Sequence, residues 1–138
     1  MVLYLVIPCY NEEAVLPITA AAVREKMEAL IAAGTIGADS RVLFVDDGSR
    51  DGTWAGLERL TGETPLFAAL KLAHNVGHQN ALLAGLMEAK EHCDAAVSMD
   101  ADLQDDINAI DGFLAKYAEG CDVVYGVRNK RDTDTRFK

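Results

Sequence analysis

The chain has 138 residues, near the usual size of one domain and long enough to bury a core. Half of its residues are hydrophobic and a quarter charged, with 22 acidic against 13 basic side chains and a formal net charge of −9. That balance argues against nucleic acid or an anionic membrane surface as the main partner, because both select a basic patch.

In chain order, "VLYLVI" (2–7) predicts a fully buried strand, stopped by Pro8, which lacks a ladder donor. The run is too short to cross a membrane, and no apolar run approaches the ~20 residues a transmembrane helix needs. It also meets Pro8, Asn11, Glu12 and Glu13 at once, which is no signal-peptide pattern. From 12 to 33, Val15, Leu16, Val23, Met27, Leu30 and Ile31 recur at helical spacing, with Pro17 early and Gly34 as a C-terminal cap. "RVLFV" (41–45) predicts a second strand and 53–60 a short helix. "LFAALKL" (66–72) predicts the third strand and 79–92 the helix after it. "AAVSM" (95–99) is the fourth strand, 107–118 a helix closed by Gly120, and "DVVYGV" (122–127) a fifth strand. Trp54 and Phe113 are most simply core. This alternation with near-continuous apolar strands implies a parallel α/β sheet covered by helices on both faces. The polar end "RNKRDTDTRFK" carries no closing element, so the expectation is the front part of something longer. Cys9, Cys93 and Cys121 form no CxxC pair, which suits a reducing, cytoplasmic setting and offers no zinc site.

The unusual polar segments fall at one place. "PCYNEE" follows the first strand, "DDGSRDGT" the second, "HNVGHQ" the third, "DADLQDD" the fourth and "GVR" the fifth. Ligands of open α/β sheets bind beyond the carboxyl ends of the strands, where the strand order reverses. No GxGxxG follows the first strand and no GxxxxGK[ST] is present, so a phosphate-bearing ligand needs a divalent cation instead. The acidic crowding points the same way: Asp94, Asp100, Asp102, Asp105 and Asp106 lie close in sequence. Two carboxylates at ~4 Å repel by about 4 kcal/mol at an effective dielectric near 20. Asp100 and Asp102, separated by Ala101, are spaced as two hard oxygen ligands to Mg²⁺ or Mn²⁺ or its phosphates. The alternative is a solvated turn with Asp105 or Asp106 as a helix cap. Asp46 and Asp47 end the second strand, where the pleat turns neighbouring side chains to opposite faces, so one of the two faces a ligand. That carboxylate accepts from a nucleobase or ribose, or else caps the turn before Thr53. Tyr10 offers a ring for stacking on a base, or packs as a strand-end aromatic.

Together, "IPCYNEE", "VDDGSRDGT", "HNVGHQNALLAGL", "MDADLQDD" and "VVYGVRNKRDTDTRFK" resemble the N-terminal half of family 2 glycosyltransferases. The subgroup most alike is the polyprenyl-phosphate sugar synthases, which use dolichyl or undecaprenyl phosphate. The resemblance spans essentially the whole chain in the family's order. It implies a single GT-A domain over 1–138: a mainly parallel, doubly wound sheet, truncated at its C-terminus. It further implies inverting transfer from a UDP- or GDP-sugar with Mg²⁺ or Mn²⁺ to a polyprenyl phosphate, at the cytoplasmic face of a membrane. By position, Pro8, Tyr10, Glu12, Val45 and an Asp of the 46–47 pair would hold the nucleoside. Asp100, Ala101 and Asp102 match the D-x-D motif, the two carboxylates being catalytic, with Asp102 and Gln104 toward the metal and Arg128 toward the diphosphate. Two positions depart from the pattern: Asp106 stands where relatives carry proline, and His74 where they carry arginine. The chain also ends where the family's acceptor half and its general base would begin.

Other readings of these residues remain. His74 and His78 straddle Gly77, so they make a poor zinc pair; His78 caps its helix or touches a ligand phosphate. Cys9 has no histidine placed to activate it and reads as small filler. Arg131, Arg136 and Lys138 read as a solvated tail or as contacts to an anionic acceptor. As a whole, an inert nucleotide-sugar-binding module is the main rival to an enzyme. A nucleotidyltransferase would show a Gly-rich basic loop after the first strand. A response-regulator receiver would show an acidic pair there and a lysine after the fifth.

Overall fold

The computed structural model describes residues 1–127. It forms two compact units, Met1–Ile107 and a second from Asn108 onward. The first holds β1 (Leu3–Cys9), α1 (Leu16–Ala32), β2 (Arg41–Asp46), α2 (Thr53–Glu63), β3 (Phe67–Lys71), α3 (His78–Ala89) and β4 (Ala95–Ser98). The four strands make one parallel sheet in the order β3-β2-β1-β4. The chain thus winds outward from β1 to β3, then returns to place β4 on the other side of β1. The switch point lies between β1 and β4.

The pleat sorts the core into two layers. Val6, Leu43 and Val45 meet Ala81 and Ala89 of α3 on one face. Leu5, Ile7, Val42 and Phe44 point to the other face, where α1 and α2 contact each other and β2. Every one of these strand residues is 3 % exposed or less, as strands covered on both faces require. α3 lies so close that a Cβ on Gly85 would stand 2.6 Å from a Val6 methyl carbon and 2.7 Å from one of Val45.

β1 runs through Pro8 instead of stopping before it. The N–H of Met99 donates to the Val6 carbonyl, on the β4 side, whereas the N–H of Asp47 donates to the Cys9 carbonyl, on the β2 side. Pro8 shares the parity of Val6, so its missing donor points where the β4 register, which ends at Val6–Ser98, has already finished. α1 begins at Leu16, after a turn closed by the Val15 and Leu16 N–H groups on the Glu12 carbonyl. α2 continues through Gly62 to Glu63. Trp54 is half-buried, with the Lys71 ammonium 5.4 Å from its ring centroid, a cation–π contact and not a core position.

The second unit carries α4 (Ala109–Ala118), which buries Ile110 and Leu114. The fifth strand expected over 122–127 does not form. Val123, Tyr125 and Val127 are 68 %, 83 % and 79 % exposed, and their unit offers no strand among the described residues for them to pair with. Arg128, Arg131, Arg136 and Lys138 lie outside the described residues.

Candidate functional site

Beyond the carboxyl ends of the strands, at the β1/β4 switch point, opens a cavity of about 440 Å³. The end of β1 and its following loop contribute Pro8, Cys9, Tyr10 and Glu12. The loop after β2 contributes Asp47, the β3–α3 connection contributes Asn75, Gly77 and His78, and the residues after β4 contribute Asp100, Ala101 and Asp102. Of the residues expected from sequence, Pro8, Tyr10, Glu12, Asp47, Asp100, Ala101 and Asp102 therefore share one cavity. Val45 and Asp46 are fully buried and are not among its lining residues, nor is Gln104.

Local hydrogen bonds hold the walls. The loop after β1 is latched to the loop after β2. Asn11 N–H donates to Ser49 Oγ (2.9 Å), Arg50 N–H to Asn11 Oδ1 (2.9 Å) and Glu12 N–H to Thr53 Oγ1 (2.9 Å). Asn11 sits at φ 52°, a left-handed conformation that asparagine tolerates better than most residues. Across the cavity, Asp47 ties down the β3–α3 connection. Val76 N–H donates to Asp47 Oδ1 (2.7 Å), and the Asn75 amide donates to Asp47 Oδ2 (3.2 Å) and to its carbonyl (3.1 Å). The approach is tight enough that a Cβ on Gly48, at φ 68°, would stand 2.4 Å from the Asn75 nitrogen.

The two aspartates of "DDGS" thus diverge. Asp46 shares a face with Cys9, its register partner, and accepts Ser49 N–H at Oδ1 (3.2 Å). Its Oδ2 is buried with no hydrogen-bond partner among the described residues. Burial, then the charges of Glu12 and Asp46, push the Cys9 thiol up to about 12. It stays protonated and donates weakly to the Ile7 carbonyl (3.6 Å), so it fills space and is no nucleophile. Burial, then Asp102 and Asp51, raise the Glu12 carboxyl above its ordinary value.

Asp100 is half-exposed, with Oδ1 3.6 Å from Nε2 of His78, the first residue of α3. Asp102 is exposed and accepts Gln104 N–H at Oδ1 (3.2 Å). Among the described residues, no group of three or more His, Cys, Asp or Glu is disposed to hold a metal by itself. Two accessible carboxylates flanking a buried Ala101 nevertheless fit a hard divalent cation whose remaining ligands come from phosphate oxygens. Asn75 was not singled out by sequence reasoning; its signal was its place in "HNVGH", at a strand end opposite Asp47.

Comparison with known proteins adds the family. The family model for glycosyl transferase family 2 matches residues 4–138. The chain is 53 % identical over 137 residues to YkoT of Bacillus subtilis (strain 168), an uncharacterized glycosyltransferase, covering 99 % of this chain and 41 % of that one. It is 36 % identical over 138 residues to the bactoprenol glucosyl transferase of Shigella phage SfV, covering 100 % of this chain and 42 % of that one. It therefore spans about two fifths of the length of these curated relatives. The solved mannosyltransferase PcManGT of Pyrobaculum calidifontis, in complex with GDP-Man and Mn²⁺, superimposes with a TM-score of 0.60 at 24 % identity. That match covers 72 % of this chain and 27 % of PcManGT, and it fixes the fold as that of GT-A glycosyltransferases. By its family match over nearly its whole length and by its fold, this chain belongs to glycosyl transferase family 2.

Proposed function

We propose that this chain forms the donor-binding part of an inverting glycosyltransferase that moves a sugar from a nucleoside-diphosphate sugar to a polyprenyl phosphate. The observation that carries the reading is the acidic pair Asp100 and Asp102 lining a cavity at the switch point of a parallel sheet. Tyr10, 43 % exposed at the rim, stacks on the base, while Pro8, Glu12 and Asp47 bound the nucleoside. Asp46 and Val45 support that wall from within the core. Asp100 and Asp102 would hold Mg²⁺ or Mn²⁺, with Gln104 steadying Asp102 through its backbone N–H. Bound there, the cation supplies Lewis-acid charge to the departing nucleoside diphosphate. Gly77 and His78, at the N-terminus of α3, present backbone N–H groups to phosphate oxygens. Arg128 is assigned to the diphosphate on the same reading.

In the transfer, an oxygen of the acceptor phosphate attacks the anomeric carbon from the face opposite the diphosphate. The bond from that carbon to the diphosphate oxygen breaks, and the configuration inverts. A phosphate oxygen is already anionic, so this acceptor asks little of a general base. The acceptor class is supported by the bactoprenol glucosyl transferase relative, and the divalent cation by the Mn²⁺ in the PcManGT complex. Such an acceptor puts the enzyme at the cytoplasmic face of a membrane, although no helix among the described residues is long and apolar enough to cross one.

Calorimetric titration of UDP, GDP and their sugars, with and without Mn²⁺, tests the donor site. One nucleotide is expected to bind well only with the metal; equal binding in its absence overturns the cation assignment. Sugar transfer to a short polyprenyl phosphate, measured for this chain beside the full-length protein, tests the reaction. This chain is expected to bind donor but transfer poorly, and donor binding without turnover by the full-length protein would indicate an inert module.

A further inference from the structure

Thr19 is the polar member of the buried stripe of α1, otherwise Leu16, Ala20, Val23, Met27 and Leu30. Fully buried, it directs its hydroxyl across the unit to donate to the carbonyl of Ala101. Ala101 is itself only 5 % exposed, so that carbonyl has little water to turn to. The bond joins residues 82 positions apart and reaches the midpoint between the two cavity carboxylates. On the strand side, Met99 N–H on the Val6 carbonyl (3.0 Å) secures the same segment. Beyond it, Gln104 N–H donates to Asp102 (3.2 Å) and Asp100 N–H to Asp105 (3.5 Å). Leu103, at φ 58°, then turns the chain.

We propose that Thr19 is a positioning residue for the cation-binding carboxylates. Its hydroxyl pins the Ala101 carbonyl, so the backbone between Asp100 and Asp102 cannot rotate and both side chains stay aimed into the cavity. Two carboxylates that must share one ion with a diphosphate gain from being held at their spacing before the ion arrives. Groups that orient metal ligands typically change metal affinity by about 10- to 100-fold when removed. The inference rests on the donor-site reading above and adds a residue that touches neither ligand nor metal.

The test is the Mn²⁺ concentration that half-saturates UDP or GDP binding, followed by calorimetry on the 138-residue chain. Thr19→Val keeps the shape and removes the hydroxyl; it is expected to raise that concentration about tenfold or more. Thr19→Ser is expected to restore the wild-type value. Melting curves without metal report folding separately. If wild type binds with metal but Thr19→Val leaves the Mn²⁺ midpoint unchanged, the positioning role is overturned and the donor site stands. If wild type shows no Mn²⁺ dependence at all, the site reading falls and this role with it. Should Thr19→Val fail to fold, Thr19→Ala against Thr19→Ser isolates the same hydroxyl, and equal Mn²⁺ midpoints for the two overturn the proposal.

Discussion

Asp46 and Asp47 are neighbours in sequence with different partners: one buried beside Cys9, the other lining the cavity and accepting from Asn75 and Val76. The pleat alone predicts that they diverge; which one reaches the cavity depends on the register of β2. Glu12 shows how crowding registers at a single group. Partial burial, then the charges of Asp102 and Asp51, raise its carboxyl above the ordinary value. A carboxyl raised in the folded state favours folding at low pH, and the advantage is lost as pH rises through its folded value. Near neutrality, ionised Glu12 therefore weakens the ligand-free fold. Glu12→Gln is expected to raise the melting temperature at about pH 7.5, the gain closing as pH falls below the ordinary carboxylate range. A gain that persists in acid would mean packing, not charge, is responsible. Asp102→Asn keeps an acceptor for Gln104 N–H but removes a charged oxygen. It is expected to lower metal-dependent nucleotide affinity at least tenfold, about 1.4 kcal/mol, with little change in metal-free melting. Unchanged affinity in calorimetry would reduce the acidic pair to a solvated turn. The place of the acidic pair in the cavity was legible because both residues follow one strand; Thr19 and Asn75 were not, because their partners lie 82 and 28 residues away.

At the scale of elements, hydrophobic runs located β1 to β4 and the helices between them, and erred where a run lacked a neighbour. "DVVYGV" has the composition of a buried strand, yet its odd-numbered side chains stand in solvent. Periodicity reports what a segment is able to bury, not whether a partner strand lies beside it. Pro8 misled in the opposite direction, because a missing donor matters only on the side where a ladder continues. α3 shows a fit that no pattern announces. Gly85 lets the helix settle onto Val6 and Val45, where an added Cβ would fall well inside contact distance. Both valines are fully buried in strands paired with their neighbours, so the helix is the element that must move. Gly85→Ala is expected to destabilise the fold by about 1–3 kcal/mol through overpacking, read as a lower urea midpoint at unchanged slope. Because α3 begins at His78 in the cavity wall, the same variant is also expected to weaken nucleotide binding. A stability equal to wild type would show that the α3 face has room to spare.

Across the first unit, one topological fact gathers the site: β4 returns to the side of β1 opposite β2, so the loops after β1 and β4 face each other across the switch point. Residues more than ninety positions apart, such as Pro8 and Asp102, line one cavity for that reason. The sequence carries a formal net charge of −9, and the cavity adds Glu12, Asp47, Asp100 and Asp102 to its own walls. A nucleoside diphosphate brought there without a cation meets like charge on several sides. On the proposed donor-site reading, the folded state is expected to gain most when metal and nucleotide arrive together. A ligand that binds only the native state, at one hundred times its dissociation constant, stabilises it by about 2.7 kcal/mol. For a domain of this size that corresponds to a rise of roughly 5–15 °C in melting temperature. Mn²⁺ alone is expected to give a smaller rise, since the diphosphate supplies part of its coordination. Nucleotide alone is expected to give almost none. Asp100→Asn separates the site from the scaffold: it removes one of the crowded charges, so the ligand-free melting temperature should hold or increase while the shift with Mn²⁺ and nucleotide shrinks. Melting curves of both proteins under all four conditions decide the matter. A loss of more than about 2 kcal/mol without ligand would mark Asp100 as part of a structural hydrogen-bond network instead, and would remove it from the cation site.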